Sequence, residues 1–411
     1  MTSLQPALSM TQPQPNVIAP QRAEFLPFAL PDIGEEEIDE VVRTLRSGWI
    51  TTGPRTKEFE QRFAEYVGAS HAIAVSSCTA ALHIGLAAAG VGPGDEVITS
   101  PLTFCSTANV VVHLGATPVF ADIGDDFNID PAQIKRRITE RTKAIIPVHH
   151  SGQPCQMDEI HELAWRYGLK VIEDAAHAAG ATYRGRKVGV LSDVTAFSFY
   201  AIKNMTTAEG GMITTENDEL ADVMRLLSLH GISKDAWKRY AASGSWYYEV
   251  MYPGYKCNMT DIQASLGIHQ LARLEGFIET RRRYARLYDE AFAEVPEIRT
   301  PRVNSDVGHA WHLYVIQLDL ERLTIDRAGF IEALRAENIG TSVHFIPVHL
   351  HPFYRQRYGC KLGDYPNAEH IYAGIVSLPL YPKMSEDDVL DVVAAVRRVV
   401  GLHRRGARRY G

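Results

Sequence analysis

A lysine in the middle of the chain is the residue best placed to do covalent chemistry. Lys203 follows the apolar run Ala196–Tyr200 and precedes a turn that ends in Gly210 and Gly211. Burial at such a position would disfavour the ammonium form and lower the pKa of the amine, and a neutral amine can form a Schiff base with an aldehyde. An ordinary lysine at a strand end is the alternative, because most lysines keep their charge in water. The hypothesis therefore depends on the residues around Lys203.

A carboxylate ends the apolar run that precedes this segment. Asp174 closes the short run Lys170–Asp174, at a position where the ligand-binding groups of α/β sheets collect. A carboxylate against a protonated ring nitrogen makes a heteroaromatic cofactor an electron sink. The alternative role for Asp174 is that of a helix N-cap.

A third candidate group lies nearer the N-terminus. The apolar run 72–75 breaks at Ser76 and Ser77, and a helical pattern begins near Thr79. The backbone N–H groups of Thr79 and Ala80, the helix dipole and the Thr79 hydroxyl would together bind a phosphate, although an N-capping turn without a ligand is equally compatible. An aldehyde-trapping amine, a ring-nitrogen carboxylate and a phosphate-binding turn together predict pyridoxal phosphate (PLP) as the cofactor.

Short apolar runs that alternate with helical patterns must position these three groups. Several of the runs are almost continuously apolar, which is typical of a sheet covered by helices on both faces. Helices are predicted between them, for example over 79–89 and 157–167, so the large domain should be doubly wound α/β. The predicted strands are 72–77, 96–101, 117–122, 143–150, 170–174, 195–200 and 211–215.

The remainder of the chain predicts a second, smaller α+β domain. A long helical stretch from Thr260 to about Val295 leads into strands at 312–319 and 341–345 and helices at 326–337 and 386–400. We expect a large PLP-binding domain over 24–270 and a small domain over 271–411. Residues 1–23, rich in Pro, Gln and Ser, should form a disordered arm.

Composition and charge exclude several other classes of protein. The 411 residues carry 42 basic and 49 acidic side chains, a net charge of −7, which lacks the basic field that nucleic-acid binding requires. Neither a membrane-spanning apolar stretch nor a signal peptide is recognisable, so no membrane partner is expected. The five widely spaced cysteines indicate free thiols in a reducing compartment, and we expect a cytoplasmic protein.

Two rival kinds of site are disfavoured. The glycines of Gly90–Gly94 do not have the G-x-G-x-x-G spacing of a dinucleotide-binding turn, and they follow a helix rather than a strand. His344, His349 and His351 are close in sequence, but no carboxylate or Cys ligand lies beside them, so no metal site is predicted.

The order of these motifs resembles the DegT/DnrJ/EryC1/StrS family of PLP-dependent sugar aminotransferases, over nearly the whole chain from about Phe25 to the last helix. Further stretches are most similar to the enzymes that aminate UDP-4-keto-pentoses for lipid A modification. The family motifs are 48–54, 76–82, 94–97, 173–177, 197–204 and 209–211, and the further stretches are 230–232, 235–237, 253–261 and 309–313.

The resemblance implies a fold and a set of roles. The fold is that of PLP-dependent transferases of fold type I (aspartate aminotransferase-like), with a mainly parallel seven-stranded sheet and a smaller α+β C-terminal domain. Lys203 matches the Schiff-base lysine, which is also the general base, and Asp174 matches the partner of the ring nitrogen. The implied phosphate contacts are Thr79, Ala80, Ser198 and Asn258.

Other matches concern the rest of the pocket and the assembly. Family members supply the equivalent of Asn258 from a neighbouring subunit, which implies a homodimer with shared active sites. Phe104 matches the aromatic residue that stacks on the cofactor ring, and His177 lies where a side chain approaches the phenolic oxygen of the cofactor. Two matches are weaker. Gln153 would face the same pocket, and His349 would contact the sugar.

The implied reaction is transfer of the amino group of L-glutamate to a nucleotide-linked 4-keto-sugar, most simply a UDP-linked one, with release of 2-oxoglutarate and ping-pong kinetics. A second possibility is a PLP-dependent nucleotide-sugar dehydratase, but relatives of that kind carry a His in place of the lysine. Other keto-sugars or a keto-cyclitol remain possible acceptors, and a non-catalytic scaffold is a third possibility.

Overall fold

The structure is a computed structural model that describes residues 22–233 and 247–406. Most of the arm expected at 1–23, and the motif at 235–237, lie outside the described residues. Arg22, at the end of that arm, forms ion pairs with Asp388 and Asp391 at 2.6 and 2.9 Å.

A seven-stranded sheet forms the centre of the larger part of the molecule. Its order is β1-β9-β8-β5-β4-β2-β3, and every neighbouring pair is parallel except those that include β9. The strands are β1 (His71–Val75), β2 (Glu96–Thr99), β3 (Thr117–Phe120), β4 (Thr142–Ile146), β5 (Lys170–Asp174), β8 (Val194–Ser198) and β9 (Gly211–Thr215). The prediction of a mainly parallel seven-stranded α/β sheet is confirmed.

Helices cover both faces of this sheet, which explains the continuous apolar strands. All five residues of β8 and of β9 are buried. One core lies between the sheet and α3, and a second lies between the opposite face and α2 and α8. The helices in this part of the chain are α1 (Glu35–Ser47), α2 (Pro54–Val67), α3 (Cys78–Ala88), α4 (Ser106–His113), α5 (Pro131–Arg137), α6 (Met157–Tyr167), α7 (Asp218–Ser228) and α8 (Asp261–Phe292).

The 32-residue helix α8 links the two cores. It begins at a capping box, in which the Thr260 hydroxyl accepts from the N–H of Gln263 and the Gln263 side chain accepts from the N–H of Thr260. At about 1.5 Å per residue the helix is about 48 Å long. Its first half packs on α1 and α2, and Tyr284 and Tyr288 in its second half belong to the core of the C-terminal part.

The C-terminal part contains a three-stranded sheet of order β10-β12-β13, with α9 and α12 packed into its core. Its elements are β10 (Ile298–Arg299), β12 (Tyr314–Leu318), α9 (Arg327–Ala336), α10 (Pro352–Tyr358), α11 (Pro366–Gly374), β13 (Ile375–Leu378) and α12 (Glu386–His403). The predicted strand at 341–345 is wrong, because Ser342 forms only an isolated bridge with Ser377 and the sequence signal missed β13.

Small elements complete the described chain. A second three-stranded sheet, of order β11-β6-β7, is made by β6 (Thr182–Tyr183), β7 (Arg186–Lys187) and β11 (Val307–Gly308). Short 3-10 turns occur at His150–Gly152 and Val348–Leu350. In the part of the chain that the structure describes, no helix combines the length and apolarity needed to cross a membrane.

Candidate active site

A cavity of about 330 Å³ opens at the carboxyl ends of β1, β5 and β8. These three strands point the same way, since β1 and β8 are each antiparallel to β9, and the carboxyl edge is where ligands bind in open α/β sheets. The residues that line the cavity include Ser77, Cys78, Thr79, Thr103, Phe104, Asp174, His177, Ser198, Lys203, His312, His344 and Phe345.

Lys203 lies in the turn that follows β8, where its N–H donates to the carbonyl of Tyr200 at 2.9 Å. Burial lowers the pKa of the Lys203 amine from its ordinary 10.5 to about 8, and nearby Cys78 and Asp174 oppose this only in part. The prediction of a poorly hydrated lysine in this turn therefore agrees with the geometry. An amine of this pKa is partly neutral near neutral pH and can act as a nucleophile or a base.

Asp174 is the last residue of β5 and is only 4% exposed. Its carboxylate accepts from the hydroxyl of Thr107 at 2.8 Å and from the N–H of Ala176 at 3.2 Å. Burial raises the pKa of Asp174, and these two hydrogen bonds and the charge of Lys203 counteract the rise. The cavity thus brings the buried carboxyl group of Asp174 and the amine of Lys203 together in one site.

The polar turn after β1 differs in detail from the prediction. Ser77 is the N-cap of α3, and its side chain accepts from the N–H of Ala80 at 3.1 Å. Ala80 does not line the cavity, and its N–H already has a partner. Ser77, Thr79 and Ser198 do line the cavity, so three hydroxyl groups lie at this end of it. The roles of these residues toward a phosphate stay predictions.

Close backbone packing brings this turn against β9. A Cβ added to Gly211 would lie 2.5 Å from the carbonyl carbon of Ser77 and 2.7 Å from the backbone nitrogen of Cys78. Because real side chains do not approach backbone this closely, only glycine fits at the start of β9. The glycine pair 210–211 thus lets the strand after Lys203 pass directly beside the turn at Ser77.

Three histidines, His177, His312 and His344, also line the cavity. Burial, followed by the nearby charge of Lys203, lowers the pKa of His177 and of His312 well below the ordinary value. Burial also lowers the pKa of His344 to about 3. The N–H of Ser151 donates to Nδ1 of His177 at 3.3 Å, so a neutral His177 carries its proton on Nε2 and can donate from there.

Phe104 and Phe345 lie beside the cavity. Phe104 is 57% exposed, and its ring centroid is 5.9 Å from that of Phe345. Phe345 in turn stacks on His177 with a centroid distance of 5.8 Å. An exposed aromatic ring at this edge is consistent with the predicted stacking role of Phe104.

Two weaker predictions do not agree with the geometry. The Gln153 side chain donates to the carbonyl of Arg302 at 3.0 Å and accepts from the N–H of Asn304 at 2.9 Å, so it holds the 302–304 loop and does not line the cavity. His349 is fully buried and pairs with Glu369 at 2.9 Å, also away from the cavity. Spacing in sequence could not show that these polar groups already have partners.

Asn258 does not line the cavity of its own chain. Its side chain donates to the Thr52 hydroxyl at 2.6 Å, and its backbone bridges Val75 at the end of β1. The role of Asn258 in a neighbouring subunit stays a prediction.

Several residues of the site were not predicted from sequence. Thr107 lies in the first turn of α4 and Thr103 in the bend before that helix, so helical spacing gave no signal for the pair. His312 lies within the 309–313 motif, and His344 belongs to the histidine group 344, 349 and 351; the sequence assigns neither of them a role toward the cofactor. Across 22–233 and 247–406, no group of three or more His, Cys, Asp or Glu side chains could hold a metal ion.

The groups in this cavity fit PLP chemically. Lys203 offers an amine of lowered pKa for the aldehyde, buried Asp174 offers an anion for the ring nitrogen, and the Ser77, Thr79 and Ser198 hydroxyls offer donors for a phosphate. A cavity of about 330 Å³ is also within the usual size range for cofactor sites.

Known proteins resemble this chain over most of its length. The spore coat polysaccharide biosynthesis protein SpsC of Bacillus subtilis is 57% identical over 382 residues, covering 92% of this chain and 98% of the relative. The putative sugar aminotransferase Spr1654 of Streptococcus pneumoniae, in its PMP-form, is 38% identical with a TM-score of 0.85, covering 91% of this chain and 99% of that one. Spr1654 also has a solved PLP-form.

PseC of Helicobacter pylori, an aminotransferase involved in the biosynthesis of pseudoaminic acid, is 30% identical with a TM-score of 0.85, covering 92% of this chain and 99% of that one. The model of the DegT/DnrJ/EryC1/StrS aminotransferase family matches residues 31–397. The chain therefore belongs to the DegT/DnrJ/EryC1/StrS aminotransferase family and is a PLP-dependent sugar aminotransferase.

Proposed function

We propose that the enzyme moves the amino group of L-glutamate onto a nucleotide-linked 4-keto-sugar, with a UDP-linked sugar as the first candidate. The observation that carries the proposal is the single cavity that contains Lys203, Asp174 and the hydroxyls of Thr79 and Ser198. Together these side chains supply a nucleophile, an anion and neutral donors, which is the set that transamination on PLP requires.

Lys203 is the proposed catalytic residue. PLP supplies an aldehyde for the amine and a ring that accepts electrons from the substrate carbon. Burial lowers the pKa of Lys203 to about 8. Its Nζ could therefore take the proton from the substrate carbon that bears the amino group and deliver it to the C4′ carbon of PLP. Donor and acceptor would bind in turn at this one lysine, so ping-pong kinetics are expected.

Asp174 is proposed to hold the ring nitrogen in its protonated form, and His177 to donate from Nε2 to the phenolic oxygen of the cofactor. Thr79 and Ser198 would bind the phosphate through their hydroxyls. Asn258 would complete the phosphate site from the second subunit of a homodimer, since it does not line its own cavity.

Two likenesses direct the choice of acceptor. The motif likeness to enzymes that aminate UDP-4-keto-pentoses for lipid A modification makes the UDP-4-keto-pentose the first acceptor to test. The name of SpsC refers to polysaccharide biosynthesis, which favours testing 4-keto-hexoses on UDP, GDP and dTDP beside the UDP-4-keto-pentose. We propose a cytoplasmic site for the reaction, in keeping with five free cysteines.

Two measurements test the proposal. The enzyme loaded with PLP should show a visible absorption band that disappears in Lys203→Ala and remains in Lys143→Ala, a control at an exposed lysine on β4. L-Glutamate alone should bleach the band, and one of the keto-sugars should restore it. A wild-type protein with no band in the presence of PLP would contradict the role of Lys203, and a band that glutamate does not bleach would contradict the proposed donor.

A further inference from the structure

Three donors converge on the carboxylate of Asp174. The Thr107 hydroxyl donates to Oδ2 at 2.8 Å, while the N–H of Ala176 donates to Oδ1 at 3.2 Å. The Cys78 thiol, a weak donor, also lies 3.9 Å from Oδ1, although it is nearer the carbonyl oxygen of Ala196, at 3.5 Å. Among the described residues, Thr107 is therefore the hydrogen-bond donor to one oxygen, and the other two donors share the second oxygen.

The hydroxyl of Thr107 is itself held in a fixed direction. Thr107 is fully buried in the first turn of α4, and its Oγ1 lies 2.9 Å from Oγ1 of Thr103, which lines the cavity. A threonine has one hydroxyl proton, and that of Thr107 points at Asp174, so the proton of Thr103 must point at Thr107. The hydrogen bonds thus run in one direction, from Thr103 through Thr107 to Asp174.

We propose that Thr107 is a positioning residue for the reaction: its hydroxyl, fixed by Thr103, keeps Asp174 ionised and prevents its carboxylate from rotating, so that the carboxylate meets the ring nitrogen of PLP as an anion. The inference rests on the proposed role of Asp174. Hydrogen bonds to a charged acceptor are shorter and about twice as strong as those between neutral groups. Such a bond is the means by which a carboxylate that is only 4% exposed can stay charged.

Removal of this hydroxyl has a defined chemical consequence. Burial raises the pKa of Asp174, and the Thr107 hydrogen bond is the largest effect that opposes the rise. Without it, Asp174 binds a proton more tightly and competes with the ring nitrogen for it. With PLP bound, a ring that had lost its nitrogen proton would withdraw electrons less strongly, so Nζ of Lys203 would hold its proton to a higher pH.

Thr107→Val tests the inference, because it removes the hydroxyl and keeps the shape of the side chain. Two quantities are measured: the dissociation constant of PLP for the cofactor-free protein, and the pH midpoint at which the visible band of the loaded enzyme titrates. We expect Thr107→Val to raise the dissociation constant about tenfold and to move the midpoint upward by about one pH unit. Thr107→Ser, which keeps the hydroxyl, should stay within about twofold of the wild type.

Thr99→Val is the matched control. Thr99 is also fully buried, and its hydroxyl donates to the carbonyl of Ile146 at 2.9 Å, but it does not line the cavity. A merely structural loss should lower the stability of Thr99→Val and of Thr107→Val without moving the pH midpoint. If the two variants have the same dissociation constant and the same midpoint, the inference is overturned.

Two further variants keep the outcome unambiguous. Asp174→Asn should change the dissociation constant and the midpoint more than Thr107→Val does. If Asp174→Asn changes neither, the proposed role of Asp174 fails; if it changes both while Thr107→Val changes neither, only the present inference fails. If Thr107→Val does not fold, Thr103→Val is used instead, because it removes the partner that fixes Thr107. Thr103→Val should move the pH midpoint upward by less than one pH unit. An unchanged midpoint in Thr103→Val overturns the inference.

Discussion

Replacement of Lys203 by methionine should stabilise the cofactor-free protein at neutral pH. Burial lowers the pKa of this amine from 10.5 to about 8 in the folded state. The folded protein therefore binds the lysine proton less tightly than the unfolded chain does. The wild type has a free-energy penalty for charging Lys203 in the site, and methionine, of similar length and uncharged, removes it.

The size and pH range of the effect follow from the two pKa values. The difference of about 2.5 between the two pKa values corresponds to about 3 kcal/mol, and water reaching the partly buried side chain reduces this to about 2 kcal/mol. For a cation whose folded-state pKa is lowered, the penalty is fully present below the folded pKa of about 8. It is relieved as the pH rises toward the unfolded value of 10.5. The stabilisation by Lys203→Met should therefore be full at pH 7 and largely gone by about pH 10.5.

Urea unfolding of the cofactor-free wild type and variant, at several pH values from about 6.5 to 10.5, measures this difference. Lys143→Met, at an exposed position on β4, is the control and should change the free energy of unfolding by less than about 0.5 kcal/mol at every pH. A Lys203→Met protein that is no more stable than the wild type at pH 7, or a stabilisation that does not decrease with pH, would refute the account of Lys203 as a desolvated amine.

Other predictions concern the same site and its supports. The rate at which the cofactor-free protein captures PLP should rise with pH and level off near the Lys203 pKa of about 8, and a rise that continues to pH 10 in stopped-flow absorbance would contradict this. Asp174→Asn should lower kcat at least about a hundredfold, measured with whichever acceptor the keto-sugar screen identifies. Gly211→Ala should cost about 3 kcal/mol in urea unfolding, because its Cβ would lie 2.5 Å from the backbone of Ser77. Gln153→Ala should lower Tm by removing two partly buried hydrogen bonds yet leave the dissociation constant of PLP unchanged, and a weaker affinity would indicate a pocket role.

Local sequence signals were sufficient to predict much of the fold. Each of the seven strands of the large sheet overlaps its predicted run, because apolar side chains buried on both faces leave a continuous hydrophobic pattern. The predicted strand at 341–345 was wrong because a local pattern does not show whether a partner strand pairs with the segment. Thr341, Val343 and Phe345 are residue types that favour a strand, but the backbone of this segment pairs only at Ser342, and the neighbours of β12 in the sheet are β10 and β13.

The residues of the candidate site were likewise predicted only in part. Lys203, Asp174 and Thr79 were predicted because strand ends and helix starts mark the edge of a sheet where ligands bind. Gln153 and His349 do not line the cavity, and Thr107 was not among the predicted site residues. Both outcomes have one cause. Whether a polar side chain faces a cavity depends on which distant group satisfies its hydrogen bonds.

The sequence by itself determined the order and type of the main elements, the lysine and carboxylate that can do the chemistry, and the likeness to a family, because these depend on local pattern and residue type. Only the tertiary structure decided which hydroxyls and histidines surround Lys203, which donors hold Asp174, and that Gln153 and His349 are occupied elsewhere. The physical reason is that desolvation and hydrogen-bond pairing are set by groups far apart in the chain, and these two effects determine the pKa values of the site.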